Sequence, residues 1–239
     1  MTRRANVVWP DATPFAGRDG EPIRILAVSD DPDLTLDDAH NREALGRVDL
    51  VVGCGDLERH HLGFLGDAFA APVWYVRGNH DRGANWEHAK PLTPEPMEDG
   101  RFGAVAGLRI VGLSWPGRTT GRAGREDVDA WIQALRTSLR LSMSRRRGPV
   151  LMLSHVPPLG AGDDLTDPYH TGFAAYRWLL RRVRPPLWLH GHTTVATVSS
   201  MRVEFEGTTL INVTGAVLVT LEPPSGAGRD RARATTSAG

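Results

Sequence analysis

Short apolar runs that stop at residues able to bind a metal or move a proton constrain this chain more than any other feature. The runs are Ile23–Ser29, Val48–Gly53, Ala71–Val76, Val150–Leu153 and Leu187–Leu189. They end, in order, at Asp30, Gly55-Asp56, Gly78-Asn79-His80-Asp81, Ser154-His155 and His190-Gly191-His192. Apolar runs of this length, bounded by Gly and Asp, suit strands buried on both faces. Asp37–Leu45 and Glu58–Phe69 read as helices between the first three runs. This βαβαβ rhythm predicts a parallel sheet with right-handed crossovers. In such a sheet the carboxyl ends of the strands open onto the ligand crevice, so the polar termini should converge at one edge.

The rest of the chain reads less sharply. Residues 1–22 carry Pro10, Pro14, Gly17, Gly20 and Pro22 and suggest a loosely held arm, with at most an edge strand at Val7–Trp9. Residues 82–104 are rich in Gly, Pro and charge and read as a long surface loop. Leu108–Leu113 is a strand. Arg125–Leu141 carries Val128, Trp131, Ile132, Leu135 and Leu139 at the spacing of an amphipathic helix. Phe173–Val183 is a further helix. Met201–Phe205, Thr208–Val213 and Val217–Leu221 read as an antiparallel run with tight turns, one at Glu206-Gly207. From Pro223 onward the sequence has nothing apolar to bury and is expected to be a disordered tail, leaving 23–222 as the folded domain.

Composition narrows the partners. The 239 residues carry 28 Lys+Arg against 28 Asp+Glu, so no excess charge points to nucleic acid or to a membrane surface. The opening residues lack the sustained apolar run of a signal peptide. No stretch approaches the ~20 apolar residues of a membrane span. The one cysteine, Cys54, fits a reducing compartment, and a cytoplasmic location is expected. The sequence leaves the oligomeric state open.

Taken singly, the strand-end residues have ordinary explanations: an Asp after a strand often caps a helix, and a His is often a satisfied polar group. Two carboxylates, an amide and two imidazoles from separate strands form a mixed N/O donor set. Such a set suits a divalent ion such as Mn, Fe, Zn or Ni. Asp30, Gly55-Asp56, Gly78-Asn79-His80-Asp81, His155 and Gly191-His192, in this order and spacing, resemble the motifs of the calcineurin-like metallophosphoesterases over about residues 23–215. The resemblance implies an α/β fold, a four-layer αββα sandwich of two mixed sheets flanked by helices. It implies that Asp56 bridges two metals, and that Asn79, His155 and His192 complete the shell of one of them. Asp30 would hold the other ion, and His80 would act on the reacting phosphate without binding metal. Two cations about 3.5–4 Å apart can clamp an in-line displacement and generate hydroxide, and an imidazole transfers protons near neutral pH.

The chain departs from the family at two positions. Where the first motif usually continues Asp-x-His, it reads Asp30-Asp31-Pro32; where the last usually reads Gly-His-x-His, it reads Gly191-His192-Thr193-Thr194. Both missing imidazoles belong to the ion held by Asp30, so that ion should bind weakly, bind through substitutes, or be absent. Asp31 and Asp33 are candidate oxygen ligands, which would favour Mg or Mn. Thr194 offers only a hydroxyl. The segment after His155 resembles a bacterial subgroup with an Asp/His-rich loop here, in which Asp164 or His170 approaches the site; the alternative is a surface loop capping the next helix. His60 and His61 suit a solvated helix face, and Arg77 and Arg118 can meet phosphate oxygens. Asp81 either orients His80 or caps the segment after it.

The chain thus supports two functions. One is a metal-dependent hydrolase of a small phosphomonoester or phosphodiester, of nucleotide type among others. The other is a binding or scaffold protein of the same fold, with one metal or none. A nuclease ranks below both, since no basic stripe tracks a phosphate backbone.

Overall fold

The computed structural model describes residues 2–81, 94–100, 102–117, 126–145, 147–194 and 200–225. Strands β1 (Arg3–Val8), β2 (Ile23–Ser29), β3 (Leu50–Gly53), β4 (Val73–Tyr75) and β11 (Gly215–Glu222) form one sheet in the order β1-β11-β2-β3-β4. Strands β5 (Phe102–Val105), β6 (Leu108–Leu113), β7 (Val150–Ser154), β8 (Leu187–His190), β9 (Arg202–Phe205) and β10 (Thr208–Asn212) form the other, in the order β5-β6-β7-β8-β10-β9. Both sheets are mixed. β2, β3 and β4 run parallel, as do β6, β7, β8 and β10. β11 is antiparallel to β2, and β5 and β9 are antiparallel edge strands.

The period-two pattern of the strands builds the layers. Ile23, Ile25 and Ala27 of β2 face Leu108, Ile110, Leu151 and Leu153 of the second sheet in one buried cluster, so the sheets pack face to face. The alternate residues Leu26 and Val28 face outward, onto Leu45 of helix α1 (Ala39–Leu45) and Leu62 and Leu65 of helix α2 (Arg59–Phe69). On the opposite side Val111, Met152 and Trp188 pack beneath helices α3 (Glu126–Met143) and α4 (Ala174–Val183). Each fully buried aliphatic side chain contributes about 1.5–3 kcal/mol. The result is the expected four-layer αββα sandwich.

Several sequence expectations change. The segment 1–22 is not a loose arm. β1 pairs in parallel with β11, Trp9 N–H donates to Glu222 O at 2.8 Å, and Trp9 and Phe15 are buried in the inter-sheet core. The alternation of polar residues in β1 hides a strand anchored by its register and by two aromatics beyond it. The C-terminal run is not one antiparallel unit either. β9 and β10 pair, but β11 belongs to the other sheet, and the chain changes sheets at Val213-Thr214. Helix α1 starts later than expected, because Asp38 caps it by accepting from His40 N–H at 2.7 Å. Part of the expected 82–104 loop is strand β5, and residues 94–100 run along β4, where Met97 N–H donates to Tyr75 O at 2.8 Å. Residues 82–93, Arg118 and the tail beyond 225 lie outside the described residues.

Helix α3 inverts its expected orientation. Its buried face is Ala130, Gln133, Ala134 and Thr137, while Val128, Trp131, Ile132, Leu135 and Leu139 are exposed. Small residues let the helix approach the sheet closely, and Gln133 is satisfied there, donating to Ser114 O at 2.8 Å and accepting from the Tyr176 hydroxyl.

Candidate metal centre

Because β2, β3 and β4 run parallel, and β7 and β8 likewise, their carboxyl ends gather on one side of the sandwich. Backbone bonds lock the loops together: Asp30 N–H donates to Gly55 O at 3.1 Å and Gly191 N–H to His155 O at 3.0 Å. Among the bonds that cross between the sheets, His192 N–H donates to Asp30 Oδ2 at 3.1 Å. Asp30, Asp56 and His192 sit at φ +60°, +56° and +69°, a left-handed backbone that side chains other than glycine adopt at a cost. Gly55 and Gly78 allow the close approach of the loops. A Cβ on Gly55 would meet the Gly78 backbone and His155 Nδ1, and one on Gly78 would run into the Asp56 carboxylate.

Four donor atoms meet at His155. Its Nε2 lies 2.8 Å from Asn79 Oδ1, 3.1 Å from Asp56 Oδ2 and 3.2 Å from His192 Nδ1. Its Nδ1 lies 2.8 Å from the Cys54 carbonyl, which can only accept, so Nδ1 carries the proton. In the neutral ring Nε2 then presents a lone pair to three other lone-pair atoms. A proton on His155, or a cation beside it, satisfies such a cluster. The carbonyl behind Nδ1 is the usual orienting partner of a metal-binding imidazole.

The electrostatics match. Burial lowers the His155 pKa, but the Asp56 hydrogen bond and charge outweigh it and raise the value above the ordinary range. Burial likewise pushes Asp56 up, and the bonds from His155 and from His80 N–H (2.8 Å to Oδ1) pull it below the ordinary carboxylate range. Burial, reinforced by His155 and His170, drops His192 to about 3, leaving it a neutral lone-pair donor at pH 7. The residues present therefore fit a divalent cation. One oxygen or nitrogen each of Asp30, Asp56 and His155 lie within 4.8 Å of one another, so Asp30 belongs to the group placed to hold an ion.

The remaining sequence candidates lie around this cluster or away from it. His80 is exposed at the mouth of the site and tied to it through its backbone. Asp31 and Thr194 are exposed. Asp33 is occupied elsewhere: Oδ1 accepts from Thr35 N–H at 3.1 Å and from its hydroxyl at 2.6 Å, and Oδ2 from the Thr2 hydroxyl at 3.0 Å. Asp164 accepts from Thr166 within its own loop. The His170 ring comes within 5.4 Å of His192, but its Nδ1 is held by Asp167 Oδ2 at 2.6 Å. His60 is exposed, and His61 is half-buried with its ring 6.3 Å from Phe64.

Sequence reasoning missed Ser29 and Thr214 and the part that Asp81 plays in holding this set in place. Asp30 Oδ2 accepts from Ser29 Oγ (2.6 Å) and Thr214 Oγ1 (3.2 Å) besides His192 N–H, so that oxygen is a hub joining both sheets. Asp81 Oδ2 accepts from Asp56 N–H (2.8 Å) and Gly78 N–H (2.7 Å), clamping the two loops; it orients no part of His80's ring. Trp115 lies 6.1 Å from the His192 ring and, with Leu159, Tyr169 and Phe173, lines a cavity of about 470 Å³ that His192 borders. For Ser29 the only signal was its place before Asp30; Thr214 had none.

A profile of the calcineurin-like phosphoesterases matches residues 28–196. The chain belongs to that family. One solved chain aligns at 16% identity and TM-score 0.58, covering 81% of this chain and 91% of its own. TT1561 of Thermus thermophilus aligns at 16% identity and TM-score 0.53, covering 81% and 90%. Phosphopantetheinyl hydrolase from Mycobacterium tuberculosis aligns at 15% identity and TM-score 0.49, covering 82% and 90%. At these identities the first two show the fold and nothing of the substrate. No curated protein matches the chain. Among the described residues, no helix is long and apolar enough to cross a membrane.

Proposed function

We propose that this calcineurin-like phosphoesterase hydrolyses a small phosphate ester, using one firmly held divalent ion. The observation that carries the reading is the convergence of Asn79 Oδ1, Asp56 Oδ2 and His192 Nδ1 on His155 Nε2. These residues would hold the ion, and Mn suits their mixed N/O set. A bound ion supplies an activated water and an electrophile for a phosphoryl oxygen. His80, at the mouth and one residue from Asn79, delivers a proton to the leaving oxygen. Asp56 fixes His80 by accepting its backbone N–H, and Asp81 fixes Asp56. The cavity beside His192 receives the organic part of the ester. Its Trp115 and Phe173 rings, 5.5 Å apart, favour a planar or apolar group.

The test is hydrolysis of aryl phosphomonoesters and phosphodiesters by Mn-loaded protein. His80→Ala should lower kcat by about 100-fold, the scale of lost proton transfer, while leaving the metal content unchanged. Loaded wild-type protein inactive across such a panel overturns the reading. A second reading, a metal-binding module with little or no turnover, draws on Pro32 and Thr194. Among the described residues, Asp31, Asp33, Asp164 and His170 do not close the gap left by the two imidazoles. Bound metal without hydrolysis is the outcome that favours it.

A further inference from the structure

At the end of the second sheet where β7 starts, a cavity of about 400 Å³ gathers four arginines: Arg109, Arg147, Arg182 and Arg184. They come from separate parts of the chain. Arg109 lies on β6, Arg147 precedes β7, Arg182 is in the last turn of α4, and Arg184 follows that helix. No acidic side chain lines the cavity. The whole chain balances 28 Lys+Arg against 28 Asp+Glu, so the positive charge here is a local concentration. Val150, the first residue of β7, is part of the wall, and His155 follows the other end of that strand. At about 3.3 Å per residue the two lie roughly 17 Å apart, beyond the reach of one small ligand. The cavity is therefore separate from the metal centre.

The charges are not spent within the chain. Among the described residues, the Arg147, Arg182 and Arg184 side chains make no hydrogen bond and no ion pair. Arg181, outside the cavity, shows the contrast by pairing with Glu206 at 2.8 Å. Arg109 is anchored: its Nη1 donates to the Gly148 carbonyl at 3.0 Å, and its guanidinium carbon lies 5.4 Å from the centre of the Phe102 ring. Asp11 comes near Gly148 but does not line the cavity, and its Oδ1 accepts from Thr13 N–H at 2.9 Å and from the Thr13 hydroxyl at 2.7 Å. Ser138 adds a donor. It is 8% exposed, it lines the cavity, and its hydroxyl makes no hydrogen bond among the described residues. Arginines near a helix C-terminus also complement the helix dipole. That explanation reaches Arg182 and Arg184 but neither Arg109 and Arg147, which lie on no helix, nor the unpartnered Ser138.

We propose that this cavity binds a small polyanion that carries two or more phosphate groups. A guanidinium stays charged at every working pH and forks onto phosphate oxygens with two parallel bonds. One phosphate carries about −2 and leaves much of the charge unmatched, whereas a chain of two or three approaches it. The arginines surround one cavity and do not track along a stripe, which favours a compact ligand over a nucleic-acid backbone. The proposal needs neither the metal ion nor hydrolysis, so it is independent of the phosphoesterase reading.

Calorimetric titration with inorganic tripolyphosphate tests it, using the full chain stripped of metal and dialysed free of chelator. At about 100 mM salt, which already screens exposed charges, one tripolyphosphate should bind per chain, at least about tenfold more tightly than orthophosphate or sulfate. Arg147→Ala with Arg182→Ala should weaken binding by about 100-fold, roughly tenfold per arginine, with unchanged circular dichroism, since both side chains are exposed. Arg181→Ala removes the same charge one residue away and should change Kd by less than about threefold. No saturable binding up to about 1 mM overturns the proposal. So does an undiminished double variant, or an equal loss in Arg181→Ala, which would reduce the effect to net charge. A single-stranded oligonucleotide that binds more tightly than tripolyphosphate, and loses that affinity in the double variant, would overturn it in favour of a nucleic-acid surface.

Discussion

Asp81→Asn, studied in metal-free protein, probes how the site is held together. Asp81 is 7% exposed, and one of its oxygens receives both Asp56 N–H and Gly78 N–H. Burial outweighs those two bonds and raises its pKa from 3.8 to about 6. An acid whose folded pKa lies above its unfolded value stabilises the fold most when both states are protonated, and that contribution is lost as pH rises through the folded value. At roughly 1.4 kcal/mol per unit, about 3 kcal/mol disappears between pH 4 and 7. Asparagine keeps an acceptor oxygen for the two N–H groups and has no charge to lose. In EDTA, urea unfolding from pH 4.5 to 8 should show the variant gaining on the wild type by about 2 kcal/mol, with the change centred near pH 5 to 6. Saturating Mn should shrink the gap, since a cation beside Asp56 favours the Asp81 carboxylate. Asp81→Ala is the control: it orphans two buried donors and should cost about 2–4 kcal/mol at pH 5. Parallel pH profiles for wild type and Asp81→Asn, or an asparagine variant less stable at pH 7.5, would refute this reasoning.

Further outcomes are expected elsewhere in the site. Asp33→Ala should destabilise the fold by about 1 kcal/mol, the value of a lost cap, and leave the bound metal per chain unchanged; a drop in metal content would restore Asp33 as a ligand. Metal loading should release up to about one proton per ion near neutral pH, because the ion displaces the proton shared between His155 and Asp56. Calorimetry in buffers of different ionisation enthalpy reads that number, and zero release contradicts the lone-pair argument. Trp115→Ala should raise KM for an aryl ester about three- to tenfold with little change in kcat, the scale of one aromatic contact. Steady-state kinetics that show the loss in kcat instead would place Trp115 at the reacting group.

The strand ends were legible because buried parallel strands must be apolar and the site must be polar, so the two alternate abruptly at Asp30, Asp56 and His155. β1 was not, since Arg3, Arg4 and Asn6 alternate with smaller residues and its partner β11 lies at the far end of the sequence. Periodicity also cannot say which sheet a strand joins, so β10 and β11 read as neighbours although the chain changes layers between them. Around the site, the polar strand ends were readable and their support was not. Ser29, Thr214 and Asp81 are common polar residues whose value lies in a partner far away in sequence. In α3 the apolar period gave the helix but not its orientation, because alanines and a satisfied glutamine made the better contact with the sheet.

In the function proposed above, Asp56, Asn79, His155 and His192 hold one divalent ion, while Pro32 and Thr194 leave the neighbouring position without a comparable set. EDTA-stripped protein, reloaded with Mn and dialysed, tests it by elemental analysis. One ion per chain is expected in the wild type and none in Asn79→Ala or His192→Ala, each still folded. No retained ion in the wild type, or an ion retained equally by both variants, would contradict it.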